Sequence, residues 1–385
     1  MGTLRLLKSS IAYPRYLEFY YRQNRREAEQ PFAQQMANLL ADGFSFGDAW
    51  KHYLEASGRY EVMEVVLNAE PAQKQWAREH GLRCSDENWS DEILAAQLAH
   101  FRPDIWFCHS WLRPEQRLKL RHACRSIRYV VGYDGALNHD PRRLEGCDAV
   151  LSCVRESADF YSGAGFRGYW LPWGFDPRLR PRLAPGRGRY QVSFCGSMAM
   201  QAHVGHFERP RLLDRLQREF DVAVFCGDLN GNEMERAMLS HVRRQRFHLA
   251  WRTMQVYPAV RRLRHSNRGE RFGLAMLQTL ADSRITLNVH GYAVRTAANI
   301  RLFEATGAGT CLLTDWKDDL PAIFEPDREV VSYRSHEECA EKLRYLLDHE
   351  EERRSIAVAG QNRCLRDHHI GEHVLRFADE VLGEA

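Results

Sequence analysis

The sequence predicts an α/β protein made of two consecutive domains, each built around an open parallel sheet. Three observations indicate this class. The chain has 385 residues, more than one hydrophobic core usually organises. Short apolar, β-branched runs alternate with longer helical patterns. Near the middle, the Pro-, Gly- and Arg-rich stretch 171–190 interrupts every periodicity, which is typical of a linker. One large α/β unit is the alternative for a chain of this length.

The first half contains five apolar runs that predict strands, with helical patterns between them. These runs span 4–12, 61–67, 104–108, 128–133 and 147–153. Together they predict an N-terminal domain over 1–175, followed by a linker over 176–189.

The second half restarts the same alternation. Its predicted strands span 190–196, 221–227, 284–291, 310–315 and 328–333, and its predicted helices span 209–219, 298–306 and much of 335–383. We expect a C-terminal domain over 190–368 and a last helical segment over 369–385; a return of this segment to the first domain stays open. Each sheet would be wound like a mononucleotide-binding fold.

Composition narrows the class of protein. With 44% hydrophobic and 27% charged residues, the chain is typical of a globular protein. No stretch is long and apolar enough to span a membrane, and the first residues lack the apolar segment of a signal peptide, so we expect a cytoplasmic protein. The ten cysteines form no Cys-x-x-Cys pair, which favours reduced, buried thiols and no metal site.

Basic residues are unevenly distributed, although the net charge is only +3. Nine arginines and one acidic residue, Glu270, lie between His241 and Gly273. Such a cluster suits phosphates, acidic sugars or nucleic acid, and a simple solvated face is the alternative.

Loops with polar or glycine residues follow several predicted strands. An open parallel sheet binds its ligand at the carboxyl ends of its strands, so these loops are candidate binding sites. The first, "VSFCGSM" (192–198), ends in Gly196 and Ser197, where a ligand could approach the backbone closely. Most glycines at such a place only form turns, and that interpretation stays open.

The second loop lies in "NVHGYAVRTAANIRLFEATGAG" (288–309). It carries Asn288 and His290 at a strand end, then Arg295, and then a helix whose N-terminus would suit a pyrophosphate. Further along, Arg301 and Glu304 share one helix face, so Glu304 could accept hydrogen bonds from ribose hydroxyls. A surface ion pair is the alternative. Gly307 and Gly309 are interpreted as a helix cap with tight packing.

In the first half, His109 and Asp134 follow predicted strands and are candidates for a general base or a sugar anchor. A structural role is the alternative for both. The chain contains no Walker A motif, His-Glu-x-x-His or Gly-x-Ser-x-Gly, so the sequence does not support a P-loop hydrolase, a zincin or an esterase.

Residues 283–333 and 343–368 resemble the C-terminal domain of CgeB-like (spore maturation protein-like) proteins, which are GT-B glycosyltransferases related to glycosyl transferase groups 1 and 4. A weaker likeness extends back through 192–198 and into 148–177. The resemblance implies two Rossmann-like domains facing each other across a cleft, with the acceptor on the N-terminal domain and a UDP-, GDP- or dTDP-sugar on the C-terminal one. It also implies no metal requirement and no other cofactor.

By position, Glu304 resembles the ribose-binding Glu of that family, while Arg295 and the helix start that includes Asn299 and Arg301 resemble its diphosphate site. The second Glu that group 4 enzymes often carry eight residues earlier is Thr296 here, so the stereochemistry stays open. An inverting enzyme would use Asp134 or His109 as its base. The alternatives are an epimerase or hydrolase of the same fold, a non-catalytic coat or assembly protein, and, ranked lowest, a nucleic-acid-binding protein.

Overall fold

In the computed structural model, the chain forms two compact units, each with its own parallel sheet. The structure describes residues 2–109, 112–135, 140–198, 206–229, 232–291 and 295–382. The first unit comprises Met1–Pro172 together with Ile370–Ala385, and the second comprises Trp173–His369. Residues 176–189, predicted as a linker, group with the second unit and include a short 3-10 helix, Pro177–Arg182.

The first unit contains a six-stranded sheet in the order β2-β1-β3-β4-β5-β6, with every pair parallel. Its strands are β1 (Leu4–Ser10), β2 (Tyr60–Val66), β3 (Ile105–His109), β4 (Tyr129–Tyr133), β5 (Ala149–Ser152) and β6 (Arg167–Trp170). Its helices are α1 (Pro14–Gln23), α2 (Phe32–Ala41), α3 (Ala49–Ala56), α4 (Glu70–Glu79), α5 (Trp89–Phe101), α6 (Pro114–Ala123) and α7 (Arg155–Gly163). Strand β6 was not predicted, because "RGYW" is a half-buried edge strand without an apolar run.

The second unit contains a five-stranded parallel sheet in the order β11-β10-β9-β7-β8. Its strands are β7 (Tyr190–Cys195), β8 (Val222–Phe225), β9 (Ser283–Asn288), β10 (Cys311–Asp315) and β11 (Val331–Tyr333). Its helices are α8 (Glu208–Leu216), α9 (Glu233–Arg243), α10 (Phe247–Leu263), α11 (Gly273–Ala281), α12 (Arg301–Ala308), α13 (Leu320–Ile323), α14 (His336–Asp348) and α15 (Glu350–Asp367).

After His369 the chain belongs to the first unit again, where it forms α16 (Ile370–Phe377) and one π-helical turn, Ala378–Leu382. Phe377 of α16 lies edge-on to Trp50 of α3, with ring centroids 5.4 Å apart. Gly371 lies so close to the Tyr53 ring that a Cβ there would come within 2.6 Å of it. This tight packing fixes the last helix against α3.

The α/β class is confirmed: buried apolar strands form both sheets, and helices flank them. Eight of the ten cysteines are buried and all ten are free thiols, as the sequence predicts. Among the described residues, no helix is both long enough and apolar enough to cross a bilayer.

Candidate functional site

The second sheet reverses its strand order between β7 and β9, and this is where an open parallel sheet forms a crevice at its carboxyl edge. Strand β7 delivers Gly196 and Ser197 to this edge, and β9 delivers Asn288 and His290. Most of the predicted residues of the second half therefore follow the two strands that flank the reversal. We call this edge, formed by residues 195–198, 288–290 and 299–304, the β7/β9 site.

The loop after β7 is held by a carboxylate from the end of β8. Ser197 Oγ donates to Asp228 Oδ2 at 3.0 Å, and the Met198 N–H donates to the same oxygen at 2.9 Å. The Gly196 N–H donates to the Phe225 carbonyl at 3.1 Å, and a Cβ on Gly196 would lie 3.0 Å from the Phe194 ring. The N–H of Gly196 is thus already engaged, so this glycine offers close approach of a ligand rather than a free donor.

A buried guanidinium joins β7 to β9. Arg209, near the start of α8, is 8% exposed and donates from Nε and Nη2 to the Val289 carbonyl at 3.1 and 2.6 Å. Its Nη1 donates to the Ser197 carbonyl. Burial lowers the pKa of Arg209 to about 10, which still leaves the group charged at neutral pH. The sequence analysis missed this residue, because an arginine at a helix start is usually a surface group.

His290 forms a dyad with Asp315, which lies at the end of the neighbouring strand β10. The Asp315 Oδ1 atom lies 2.7 Å from His290 Nδ1 and accepts the His290 backbone N–H at 2.8 Å. Burial would raise the pKa of Asp315, but the hydrogen bonds and charge of His290, with Lys317 3.8 Å away, outweigh it and lower the pKa. The dyad holds the imidazole ring in one orientation.

The other ring nitrogen of His290 has a different environment. His290 is 4% exposed, and its Nε2 atom is buried without a hydrogen-bond partner among the described residues. With Nδ1–H donating to Asp315, a neutral ring presents a lone pair at Nε2, and a protonated ring presents a donor there. A buried polar atom without a partner is costly, so this nitrogen needs a hydrogen-bond partner that the described residues do not supply.

Asn288 and Asn299 form the framework of the site. The Asn288 Nδ2 donates to Thr314 Oγ1 at 3.0 Å, and its Oδ1 accepts from Asn299 Nδ2 at 2.9 Å. The Asn299 Oδ1 then accepts the Arg301 N–H at 2.9 Å. Helix α12 therefore begins at Arg301, three residues later than predicted, because this side chain binds the backbone at the helix start.

Arg301 and Glu304 lie on the first turn of α12 and form a largely buried ion pair. The Arg301 Nη1 and Glu304 Oε2 atoms are 2.7 Å apart, and the side chains are 14% and 12% exposed. The contact is not aligned as a hydrogen bond, since Glu304 Oε2 and Arg301 Nε are both buried without a hydrogen-bond partner in the described part of the chain. Burial raises the pKa of Glu304, although Arg301 opposes the shift.

A second arginine lies near this pair. Burial raises the pKa of the Cys195 thiol, at the end of β7, to about 11. The positive charges of Arg301 and Arg271 oppose this shift, and the negative charge of Glu304 adds to it. Arg301 also contacts Met276 Sδ from α11. The sequence analysis placed Arg271 only in the arginine cluster, whereas the structure brings it to the β7/β9 site.

Arg295 is exposed, on the segment that joins His290 to α12. Two residues further on, the Ala297 N–H donates to Asp319 Oδ1 at 2.7 Å, which holds this segment against the loop after β10. Among the described residues, no carboxylate forms an ion pair with Arg295, so the structure does not join it to the β7/β9 site.

The glycines after Glu304 act as scaffold, as predicted. Gly309 ends α12 in the left-handed conformation, with φ of 86°. A Cβ on Gly307 would come within 2.2 Å of the Phe175 ring, so only glycine permits this packing.

In the first unit, His109 and Asp134 follow the neighbouring strands β3 and β4. His109 lies among aromatic rings, with Tyr133 4.1 Å away and Phe46 5.8 Å away between centroids. Burial, with a smaller contribution from the charge of Lys8, lowers the pKa of His109 to about 3. Asp134 is 8% exposed, and its Oδ2 accepts the Tyr161 hydroxyl at 2.6 Å.

Among the described residues, no group of three or more His, Cys, Asp or Glu side chains is arranged to hold a metal ion. Beside Arg209 and Arg271, two carboxylates at strand ends were not predicted: Asp228 after β8 and Asp315 at the end of β10. Both stand at the end of an apolar run in the sequence, and that position is the signal that could have found them.

Comparison with known proteins gives one family match and many solved structures of the same fold. Residues 212–379 match a protein family described as glycosyl transferase-like. No curated protein matches the chain significantly. Many solved structures share its fold at low sequence identity.

The HepE protein (Alr3699) of Anabaena, solved in complex with UDP-glucose, has a TM-score of 0.59 at 10% identity, with 99% of this chain and 100% of that chain covered. Sucrose-phosphate synthase from Thermosynechococcus elongatus has a TM-score of 0.58 at 11% identity, with 99% and 100% covered. A glycosyltransferase from Rickettsia africae has a TM-score of 0.57 at 10% identity, with 100% and 99% covered. The chain therefore has the GT-B fold of glycosyltransferases, and its residues 212–379 match a glycosyl transferase-like family.

Proposed function

We propose that this protein transfers a sugar from a nucleoside diphosphate sugar to an acceptor, with the donor bound at the β7/β9 site. One observation carries the proposal. Three buried polar atoms without hydrogen-bond partners among the described residues, His290 Nε2, Arg301 Nε and Glu304 Oε2, occur in the segment that links the carboxyl end of β9 to α12. A donor with a ribose and a diphosphate would satisfy them. The glycosyl transferase-like domain over 212–379 supports the same class of enzyme.

Glu304 is the proposed ribose ligand. A carboxylate can accept hydrogen bonds from two neighbouring hydroxyls. Glu304 is 9% exposed, and its Oε2 atom forms an ion pair with Arg301 Nη1 at 2.7 Å. Its position also agrees with the CgeB-like resemblance of residues 283–333. The HepE structure is a complex with UDP-glucose, so a uridine nucleotide is the first candidate.

The diphosphate would lie against the start of α12, where the helix dipole is positive. Arg301 and Arg271 supply full charges near the end of β7, and Arg295 lies on the segment that leads into the helix. As the bond to the anomeric carbon breaks, negative charge develops on the leaving diphosphate. Groups fixed in advance at that position lower the barrier, and this electrostatic effect is often the largest in catalysis.

His290 is the proposed positioning and hydrogen-bonding group for the donor. Asp315 fixes the ring through Nδ1, so Nε2 has a defined direction. A protonated His290 would donate from Nε2 to a phosphate or sugar oxygen, and the Asp315 carboxylate stabilises the positive charge of the ring.

The first unit is the proposed acceptor side. If the reaction inverts configuration, a base must take the proton of the acceptor hydroxyl. His109 is a weak base, because its pKa is lowered to about 3, whereas Asp134 carries a carboxylate that Tyr161 orients. Asp134 is therefore the better candidate. A retaining reaction would need no such base.

We further propose that the reaction needs no metal ion and takes place in the cytoplasm. Arginine side chains would then neutralise the charge of the leaving diphosphate, as a bound metal ion does in other enzymes. Turnover that survives chelation by EDTA is the expected result, and activity restored only by a divalent cation would contradict it.

A donor screen tests the proposed function. The full-length protein is mixed with UDP-, GDP- and dTDP-sugars, and both the melting temperature and slow release of the nucleoside diphosphate are measured. We expect one nucleotide class to stabilise the protein and its sugar to be hydrolysed slowly without acceptor. An epimerase would instead change the sugar without releasing it, which NMR of the sugar detects. If no nucleotide sugar stabilises the protein, the proposal is wrong.

A further inference from the structure

A basic helical hairpin lies between β8 and β9, outside the β7/β9 site. It consists of α9 and α10, which pack against each other. One side of α10 faces the core through residues such as Leu249, Val256 and Val260. The hairpin is therefore anchored to the second unit along its inner side.

The outer side of α10 is apolar as well. Phe247, Trp251, Met254 and Pro258 follow one another at intervals of four, three and four residues, which places them along one stripe of the helix. Phe247 is 64% exposed, Trp251 is 58% exposed and Met254 is 49% exposed. An amphipathic helix on a globular protein normally presents polar residues there, so this helix is apolar on both sides.

The neighbouring helix α9, which packs against α10, also exposes apolar side chains, those of Met238, Leu239 and Val242. We call the exposed apolar side chains of the two helices the hairpin face; they are Met238, Leu239 and Val242 of α9 and Phe247, Trp251, Met254 and Pro258 of α10. Seven of the twelve large exposed apolar side chains of the described residues lie on these two helices. Such a concentration marks an interaction surface, whereas exposed apolar residues elsewhere are scattered.

The hairpin is also strongly basic. Residues 236–269 contain nine arginines and no acidic residue. Arg243, Arg244 and Arg261 are exposed at the ends of the two helices. Elsewhere exposed arginines form ion pairs within one helix, as Arg354 does with Glu350 at 2.5 Å. Arg262 pairs with Asp214 at 2.5 Å and Arg264 lies 3.9 Å from Glu235 of α9. Among the described residues, no carboxylate forms an ion pair with Arg243, Arg244 or Arg261, so these three exposed arginines suit an anionic partner.

We propose that the hairpin face docks on the surface of a bilayer that contains anionic phospholipids. Trp251, Phe247 and Met254 would enter the boundary between headgroups and acyl chains, and the arginines would meet the phosphates. An apolar stripe bordered by arginines is the pattern of helices that lie on membranes. A nucleic acid stacks on aromatic rings but offers nothing to Met238, Leu239 and Val242, so a membrane fits the face better.

Vesicle flotation with the full-length protein tests this proposal. We expect the protein to float with mixed phosphatidylcholine–phosphatidylglycerol vesicles at low salt and to stay in solution with pure phosphatidylcholine vesicles. Binding should fall about tenfold or more as the salt concentration rises from roughly 0.05 to 0.5 M, because exposed charges are screened over that range.

Two variant pairs separate the apolar and the electrostatic parts. Phe247→Ala/Trp251→Ala should weaken vesicle binding about tenfold or more, because two large apolar side chains are lost. Arg243→Gln/Arg244→Gln should remove the preference for anionic vesicles. The control Tyr345→Ala/Val358→Ala removes two exposed apolar residues of α14 and α15, 46% and 57% exposed, and should bind like the parent.

Several results would overturn the proposal. These are equal binding of parent and Phe247→Ala/Trp251→Ala, flotation with neither vesicle, or flotation that the control pair also abolishes. A concentration-dependent dimer that Phe247→Ala/Trp251→Ala dissociates would assign the face to a second copy of the chain. RNA binding that Arg243→Gln/Arg244→Gln abolishes, in a protein that ignores vesicles, would assign it to nucleic acid. Circular dichroism of each variant checks that the fold is retained.

Discussion

Replacing Glu304 with Gln separates the two roles open to this residue, ribose ligand or ion-pair partner of Arg301. The substitution keeps the shape of a side chain that is 9% exposed and removes its charge. If the carboxylate accepts ribose hydroxyls, the loss of a charge-assisted hydrogen bond costs about 1.5–3 kcal/mol of binding. This corresponds to a dissociation constant for UDP, or for the nucleotide that the screen selects, weakened roughly 10- to 150-fold.

The effect on folding depends on two contributions that oppose each other. Burial raises the pKa of Glu304, so the charged carboxylate is unfavourable in the fold, while the ion pair with Arg301 at 2.7 Å compensates part of this. Gln leaves the largely buried Arg301 without its ion-pair partner, although the amide oxygen can still accept a hydrogen bond, so we expect the free energy of unfolding to fall by less than about 3–5 kcal/mol, the cost of losing one partner of a fully buried pair. The folded state takes up more protons than the unfolded state between the ordinary pKa of 4.5 and the raised value, so stability falls as pH rises through that window, and Gln removes this slope.

Isothermal titration calorimetry with two ligands makes the assay specific. The parent and Glu304→Gln are titrated with the nucleoside diphosphate and with the same nucleotide lacking both ribose hydroxyls. We expect the variant to lose affinity for the first ligand and to match the parent for the second. Unchanged affinity for both ligands, together with a loss of stability, would refute the reasoning and leave Glu304 as an ion-pair partner only.

Three further substitutions test other parts of the site. Gly307→Ala should destabilise the protein by about 1–3 kcal/mol in thermal unfolding, because its Cβ would lie 2.2 Å from the Phe175 ring. The control Gly163→Ala should be neutral, because a Cβ on Gly163 meets no atom within 4 Å. Arg209→Ala should cost on the order of 3 kcal/mol in urea unfolding, because two buried carbonyls lose their donor, and an unchanged midpoint would contradict this role. Asp315 has a lowered pKa, so it stabilises the fold above its ordinary pKa of 3.8 and loses this effect as pH falls through the lowered value; Asp315→Asn should flatten that acid dependence of unfolding.

The sequence was a good guide to the strands, because buried parallel strands are apolar runs that periodicity detects. Strands β7, β9 and β10 begin and end within three residues of the predicted bounds. The start of α12 was less predictable. It depends on Asn299 binding the Arg301 N–H, a local contact that competes with helix formation and that periodicity does not reveal.

The candidate site was only partly predictable, since a sequence shows spacing along the chain and not contacts across the sheet. Arg301 and Glu304 are three residues apart, so their pairing follows from helix geometry. By contrast, Arg209 reaches the Val289 carbonyl across 80 residues, and Asp315 meets His290 across 25. Only the strand order brings such groups together.

The central claim is that a nucleoside diphosphate sugar binds at the β7/β9 site, and a crystal structure with the nucleotide selected by the screen tests it most directly. We predict that the ribose hydroxyls lie within hydrogen-bond distance of Glu304 and that the diphosphate lies at the start of α12, near Arg301 and His290 Nε2. A nucleotide bound elsewhere, with His290 Nε2 and Glu304 still without ligand contacts, would contradict the claim.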